Sequence, residues 1–317
     1  MPITTRRFLL SALAALGGVA LARSGVAQVG SGGTGISPLA SIGNAVLVAG
    51  TVTLRRDGQA AVPLESGATV MQGDQLDTGD GAEVHLEFAD GGYLALRPDS
   101  SLKINRYVAT GEATDAAAVT LLKGSLRSVT GWIGKLDPTR YRIFAGSATI
   151  SVRGTDHEVV LVLAQDGFAD AEPGVHNRVN EGATVLRNAG GTLEVAQGAA
   201  AYAPRGAAPR PHAAPPAFFN RLRTAQDARV ESHAREVPQR IEARLRQLGR
   251  LHPGERFEQY RERVQARRAR RAEGGAATAP RSEAAGTPAQ QGREQHREER
   301  QQRRRNRAPR NQPDHQR

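Results

Sequence analysis

The sequence contains no cysteine, two methionines and one tryptophan, and aromatic residues make up only 4% of its 317 positions. Without cysteine there is neither a disulfide nor a thiolate metal centre. That absence does not fix the compartment, because disulfides are permitted outside the cytoplasm but not required there. So few aromatics argue against one large core, and for one folded domain with extensions. After the N-terminus no hydrophobic run approaches the length of a membrane span; residues 159–163 form a five-residue apolar run, the length of a strand. Lysine is missing from residue 205 onward, where about 27 arginines accompany about 13 acids. The net charge of +11 is therefore uneven: a basic tail follows a mildly acidic stretch, residues 28–204.

Glycine, at 35 residues, is abundant and placed as punctuation. Ala82, Val84, Leu86 and Phe88 alternate with Glu83, His85 and Glu87, the two-residue period of a strand with one buried and one wet face. Asp90-Gly91-Gly92 supplies a tight turn, and residues 93–96 begin the return strand. Upstream, residues 42–54 predict two short strands, followed by a turn at Asp57-Gly58. Downstream, a polar loop is expected over 105–116. Strand patterns resume around Val119 and Leu121, at 126–129, at Tyr141 and Ile143, at Ile150 and Val152, and at 158–163. A last set runs through Val175, Val179, Val185, Leu193 and Val195. Residues 42–200 thus read as an all-β antiparallel domain, a sandwich, jelly-roll or β-roll, with no helical pattern long enough for an α/β fold.

The N-terminal end carries Arg6-Arg7, an apolar run over 9–21, and small residues before Gln28, the pattern of a secretory signal. The paired arginines resemble a twin-arginine signal, and an uncleaved anchor is the alternative. The expected organisation is an export signal at 1–27, a flexible leader at 28–41 and the β-domain at 42–200. A Pro/Ala linker at 201–217, short basic helices at 218–272 and a disordered Arg/Gln-rich tail at 273–317 follow.

No catalytic, cofactor or metal site is expected. Asp156-His157-Glu158 offers ligand types, but neighbours on a strand face opposite ways unless the backbone bulges, and His85 and His176 lie at no recognisable spacing from it. Asp74, Asp77, Asp80 and Glu83 could gather calcium, yet the spacing of known calcium loops is missing. Trp132 is expected in packing, with ligand stacking as the alternative. Gly73, Gly79, Gly91 and Gly154 suit positive φ or close approach, and Asp74, Asp90 and Asp156 suit acceptance of turn amides.

Several stretches resemble the periplasmic FecR domain: GDQLDTG at 73–79, LEFADGG at 86–92, SSLKI at 100–104, LKGSLR at 122–127 and ATISVRGTD at 148–156. The resemblance implies a non-enzymatic extracytoplasmic β-domain. Well-studied members of the family look like transmembrane signalling proteins that sense an outer-membrane transporter and regulate a sigma factor through a cytoplasmic N-terminal segment. This chain departs from that plan by opening on an export signal and ending in an arginine-rich tail.

The tail has helical fragments around Phe219 and Leu222, around Ile241 and Leu245, and around Phe257, Tyr260 and Val264. Pro238 and His252-Pro253-Gly254 interrupt them. Their apolar faces are thin, so they are expected to need each other, as in a coiled coil, or a partner. The expected function is an exported envelope protein, periplasmic or secreted, whose β-domain is a binding or assembly module. The alternative is a periplasmic component of FecR-type signalling. Partners are an envelope protein and, through the basic tail, anionic lipid or acidic glycan; nucleic acid fits poorly with export.

Overall fold

The computed structural model describes residues 41–164 and 171–277. The expected export signal, all but the last residue of the leader, and residues 278–317 of the expected tail lie outside the described residues. In chain order come β1 (Ser41–Ala49), β2 (Val52–Arg55), β3 (Val62–Pro63), β4 (Thr69–Met71), β5 (Gln75–Thr78), β6 (Glu83–Phe88), β7 (Tyr93–Leu96), β8 (Ser101–Val108) and β9 (Ala116–Val129). Next are the one-turn helix α1 (Trp132–Leu136), β10 (Tyr141–Ala145), β11 (Ala148–Val162), β12 (Gly174–Asn188), β13 (Gly191–Ala196), β14 (Ala200–Pro204) and β15 (Arg210–Pro211). The described chain closes with α2 (Phe218–Arg221), α3 (Asp227–Gln247) and α4 (Phe257–Ala277). The protein is mostly β-sheet, as the two-residue periods require, with every described helix but the one-turn α1 following the last described strand.

Three strands, β9, β11 and β12, are longer than the sequence pattern suggests, because the breaks marked by Gly124, Gly154 and Gly182 turn out to be bends within continuous strands. The first half of β9 pairs with β8 and β10; its second half pairs with β7 and β11. The change of partners falls at Gly124, whose φ is +79° and whose Cβ would overlap the Ser100 side chain, so only glycine fits there. Likewise β11 pairs with β10 before Arg153 and with β9 from Asp156, its register shifting between them. The antiparallel strands are thus organised as two sheets joined through shared strands. The β9–β10 pair is parallel, and α1 lies on the crossover that a parallel connection needs.

One apolar core lies between the sheets. Leu76, Leu102, Ile104, Val119 and Ile150 from one sheet join Val84, Leu86, Phe88, Leu94, Leu126 and Val159 from the other. The Phe88 ring stacks on Tyr107 at 4.7 Å, and the Tyr107 hydroxyl donates to Asp90 at the tip of the β6–β7 hairpin. Trp132 is fully buried, with Nε1 donating to Asp115 Oδ2 at 2.8 Å. It serves packing, as expected.

The C-terminal half differs most from expectation. Residues 201–217, expected as a mobile Pro/Ala linker, include most of β14 and all of β15, and β14 pairs with β12 along Gly174–Arg178. Alanine packs against a neighbouring strand, and Pro209 and Pro211 sit at the sheet margin, where a missing N–H is tolerated. The helices also fold back onto the sheet. Phe218 and Phe219 of α2 cover Val160, Val162 and Ala200, while Val230, Val237, Ile241 and Leu245 of α3 join the main core. The fragments expected on either side of Pro238 form one helix, since packing on the sheet outweighs the local cost of an interior proline. Residues 273–277, assigned to the disordered tail, continue α4. Among the described residues no helix is long and apolar enough to cross a membrane.

Candidate functional site

The outer face of the sheet formed by β6, β7, β9 and β11 is polar, and α3 lies over it. Alternation along β6 points Val84, Leu86 and Phe88 into the core and Glu83, His85 and Glu87 outward. Yet Glu83 and His85 are only 3% and 0% exposed. The expected wet face is therefore corrected: helix α3 and the segment leading into it remove it from water.

A chain of alternating charges crosses this boundary. The Tyr93 hydroxyl and His85 Nδ1 are hydrogen-bonded at 2.8 Å, and His85 Nε2 donates to Glu83 at 2.6 Å. Arg97 reaches Glu83 at 3.3 Å and Asp227 of α3 at 2.5 Å. Asp227 lies 3.5 Å from Arg127, which holds Asp156 with Nε at 2.9 Å and Nη2 at 2.6 Å. Asn180 bridges Asp156 and Glu158, and Glu158 takes Arg178 at 2.7 Å. Burial alone would raise the Asp227 carboxyl, but Arg97 and Arg127 outweigh it and hold the group below the usual range. Glu83 is likewise held low, the His85 bond and Arg97 overcoming the effect of burial. Burial works against the Arg127 guanidinium, and the Asp156, Glu158 and Asp227 carboxylates more than compensate, keeping it charged.

A second anchor sits on the same strand as Glu83, at Glu87. Glu87 accepts from Arg240 at 3.0 Å and Arg244 at 2.6 Å, with His233 Nε2 3.4 Å distant. All three are α3 residues. Burial pushes this carboxyl up, and the two arginines pull it below the usual range. The His233 ring stacks on Tyr93 with centroids 3.9 Å apart. Next to Arg240, Ile241 meets Gly91, where an added Cβ would sit 3.2 Å from Ile241 Cγ1. Gly91 has φ +76°, so the hairpin glycine serves both its turn and the approach of the helix.

Of the residues weighed from sequence, Glu83 bonds His85 and Asp156 shares Asn180 with Glu158, while Asp74, Asp90 and His157 take separate partners. Asp156 and Glu158 face outward into the ion chain; His157 points into the core, where Asn177 donates to its Nδ1 at 3.2 Å. That leaves the proton on Nε2, which is buried with no partner. Burial pushes His157 down to about 4. Asp156 was assigned to turn amides and instead binds Arg127, because the expected break is a bulge within β11. Asp74 and Asp90 do accept turn amides, from Met71 and Gly92 at 2.9 Å each. Gly79, unlike Gly73, Gly91 and Gly154, has no positive φ. Of the four residues considered for calcium, Asp74 is taken by Arg56, Asp77 by Ser101 and Gln75, and Glu83 by His85. Among the described residues no three His, Asp or Glu side chains gather as a metal ion requires. His176, which has no sequence relation to His157, clusters with the rings of Tyr202 and His212.

Arg97, Arg127, Asp227, His233, Arg240 and Arg244 were missed from sequence. The only local signal was the Arg240/Arg244 spacing of four, which puts two guanidinium groups on one helix face. Beside the α2–α3 connection a cavity of about 520 Å³ is lined by Asp99, Lys123, Ser125, Leu161, Arg223 and Thr224, with one carboxylate and no histidine in its wall.

Fold and site define an all-β module whose polar outer face is covered by helices of the same chain. The family model described as FecR protein matches residues 74–200. The family is envelope-associated and regulatory. Among solved structures, a candidate anti-sigma factor from Parabacteroides distasonis ATCC 8503 superposes with a TM-score of 0.34 and 9% identity, over 50% of this chain and 64% of its own. A second crystal structure described in the same words gives 0.35 and 10%, over 44% and 58%. This chain thus covers less than two thirds of either. No curated protein matches it.

Proposed function

We propose that the protein is a non-enzymatic component of the bacterial envelope whose FecR domain binds a protein partner and thereby contributes to FecR-type signalling. The match of the FecR family model to residues 74–200 carries this reading. The chemistry of the site supports it: Glu83, Asp156, Glu158, Arg97 and Arg127 neutralise one another across elements, an arrangement suited to recognition and registry more than to turning over a substrate. In this proposal residues 1–27 direct export, and the arginine-rich end adds attraction to anionic lipid headgroups or acidic glycans.

Deletion of residues 74–200 in the native cell tests the signalling role. Transcript profiles of the parent and the deletion strain should differ in a defined set of genes, and the full-length chain supplied in trans should restore it. Indistinguishable profiles across envelope stress and nutrient limitation would overturn the role. Fractionation of cells carrying Arg6→Lys and Arg7→Lys tests the export route, with loss of the periplasmic form expected.

A further inference from the structure

We propose that the outer face of β6, β7 and β9 is a helix-receiving surface, filled here by α3 in cis and open to a helix of the same chemistry from a partner protein. This deepens the binding role just proposed and rests on it. The surface has two fixed polar points. At one end Arg97 and Arg127 converge on the single carboxylate of Asp227, in the first turn of α3. At the other end each ion-pair partner of Glu87 is an α3 residue: His233, Arg240 and Arg244. The sheet supplies a two-guanidinium fork and an acid; the occupant supplies an acid and, thirteen and seventeen residues later, two cations. Along a helix those intervals span about 20 and 26 Å.

Val230 and Val237 form a narrow apolar seam between the points, and Ile241 and Leu245 carry it on past Arg240, with Gly91 allowing close approach of Ile241. The seam supplies attraction and the ion pairs supply register, since buried ion pairs roughly break even against apolar contacts of similar shape. The cis helix is also a handicapped occupant. Pro238 lies inside α3, removes one backbone hydrogen bond and disfavours the helix at that point. A continuous helix with the same anchors does not carry that cost. The cis helix keeps its place through tethering, which gives it a high local concentration. A partner helix is recognised by an acidic first turn, an apolar stripe and a cationic pair spaced by four.

The test uses the full-length chain and a fluorescent peptide of residues 224–250 carrying Pro238→Ala, read by anisotropy. In one chain Arg240→Gln and Arg244→Gln weaken the cis helix while leaving the sheet face intact. That chain should bind the peptide about tenfold or more tightly than the wild type. Asp227→Asn in the chain, a change at the opposite anchor, should also strengthen binding. Glu87→Gln added to the weakened chain should reverse the gain. Trp132 fluorescence reports whether each variant is folded. Equal affinity for wild-type and weakened chains, equal affinity for a peptide of scrambled order, or no binding to either weakened chain would overturn the proposal. Peptide exchange together with unchanged transcript profiles would remove the signalling role and keep the surface; changed profiles without peptide exchange would do the reverse.

Discussion

Asp227 and Arg97 are separated by 130 residues of sequence and by 2.5 Å in space, with both side chains withdrawn from water. The bond joins α3 to the sheet at the point where Arg127 also arrives. Asp227→Asn keeps the shape and removes the charge, leaving Arg97 without its anion from the helix and Arg127 with only the more distant Glu231 of that helix, 4.0 Å away. Breaking a buried ion pair from one side costs about 3–5 kcal/mol. Urea unfolding should show a loss of that order, and a loss below about 0.5 kcal/mol would mean that water reaches the pair.

Gly91 is under two demands, a positive φ and contact with Ile241. Gly91→Ala should cost about 1–2 kcal/mol, combining backbone strain with crowding against the helix. Ile241→Ala alone should cost about 2–5 kcal/mol as a cavity in the core. In the double variant the crowding is relieved, so the two losses should fall short of additive, which a double-mutant cycle in urea measures.

Acid should loosen the fold from about pH 6.5 downward. His157 titrates near 4 in the folded chain and near 6.5 when unfolded, so protons bind the unfolded state first and stability is lost between those values. The contribution is on the order of 3 kcal/mol. Burial holds His176, His212 and His233 down as well, adding in the same direction. The depressed carboxyls of Glu83, Glu87 and Asp227 contribute stability above their ordinary range, and it fades as pH falls through their folded values. Asp90, raised by burial, works the opposite way and favours the fold on acidification. Denaturant midpoints measured from pH 7 to 4 should fall, and His157→Leu should flatten the curve by about the His157 share. An unchanged slope in that variant would show that His157 is not held neutral.

Asp115 gathers the Trp132 indole and the backbone N–H groups of Thr110, Gly111 and Glu112. Asp115→Ala orphans several donors at once and should cost about 3 kcal/mol or more. Because Trp132 is the sole tryptophan, its emission should be blue-shifted and shielded from acrylamide in the wild type. In Asp115→Ala it should shift to the red and become quenchable before the strands unfold, as followed by circular dichroism.

The β6–β7 hairpin was legible because its periodicity is local: Val84, Leu86 and Phe88 alternate within seven residues of the chain. What covers Glu83 and His85 was not legible. The hydrophobic pattern of β6 alone assigns them to water, and their shelter comes from residues beyond position 220. The helix 227–247 reads as fragments because Pro238 is a strong local breaker, whereas its stability comes from the sheet beneath it. Residues 201–217 read as linker because alanine and proline mark flexibility by composition, although β14 is held by hydrogen bonds to β12. His157 was considered beside Asp156 and Glu158 as a ligand set, and strand alternation correctly sends it the other way. The Arg97–Asp227–Arg127 junction left no trace in sequence, since no short-range pattern links positions so far apart.

The partner change of β9 at Gly124 has a kinetic consequence. Because β9, β11 and β12 each contribute to both sheets, neither sheet reaches its full complement of strands while the other is missing. Independent melting of the two layers is thereby disfavoured, and pairings such as Val84 with Leu96 or Gly43 with Phe88 close loops of very different lengths within one cooperative event. A topology weighted toward distant pairings folds slowly. The nascent chain therefore spends an extended interval with its long strands unpaired, and its need for protection during synthesis is set by connectivity more than by final stability.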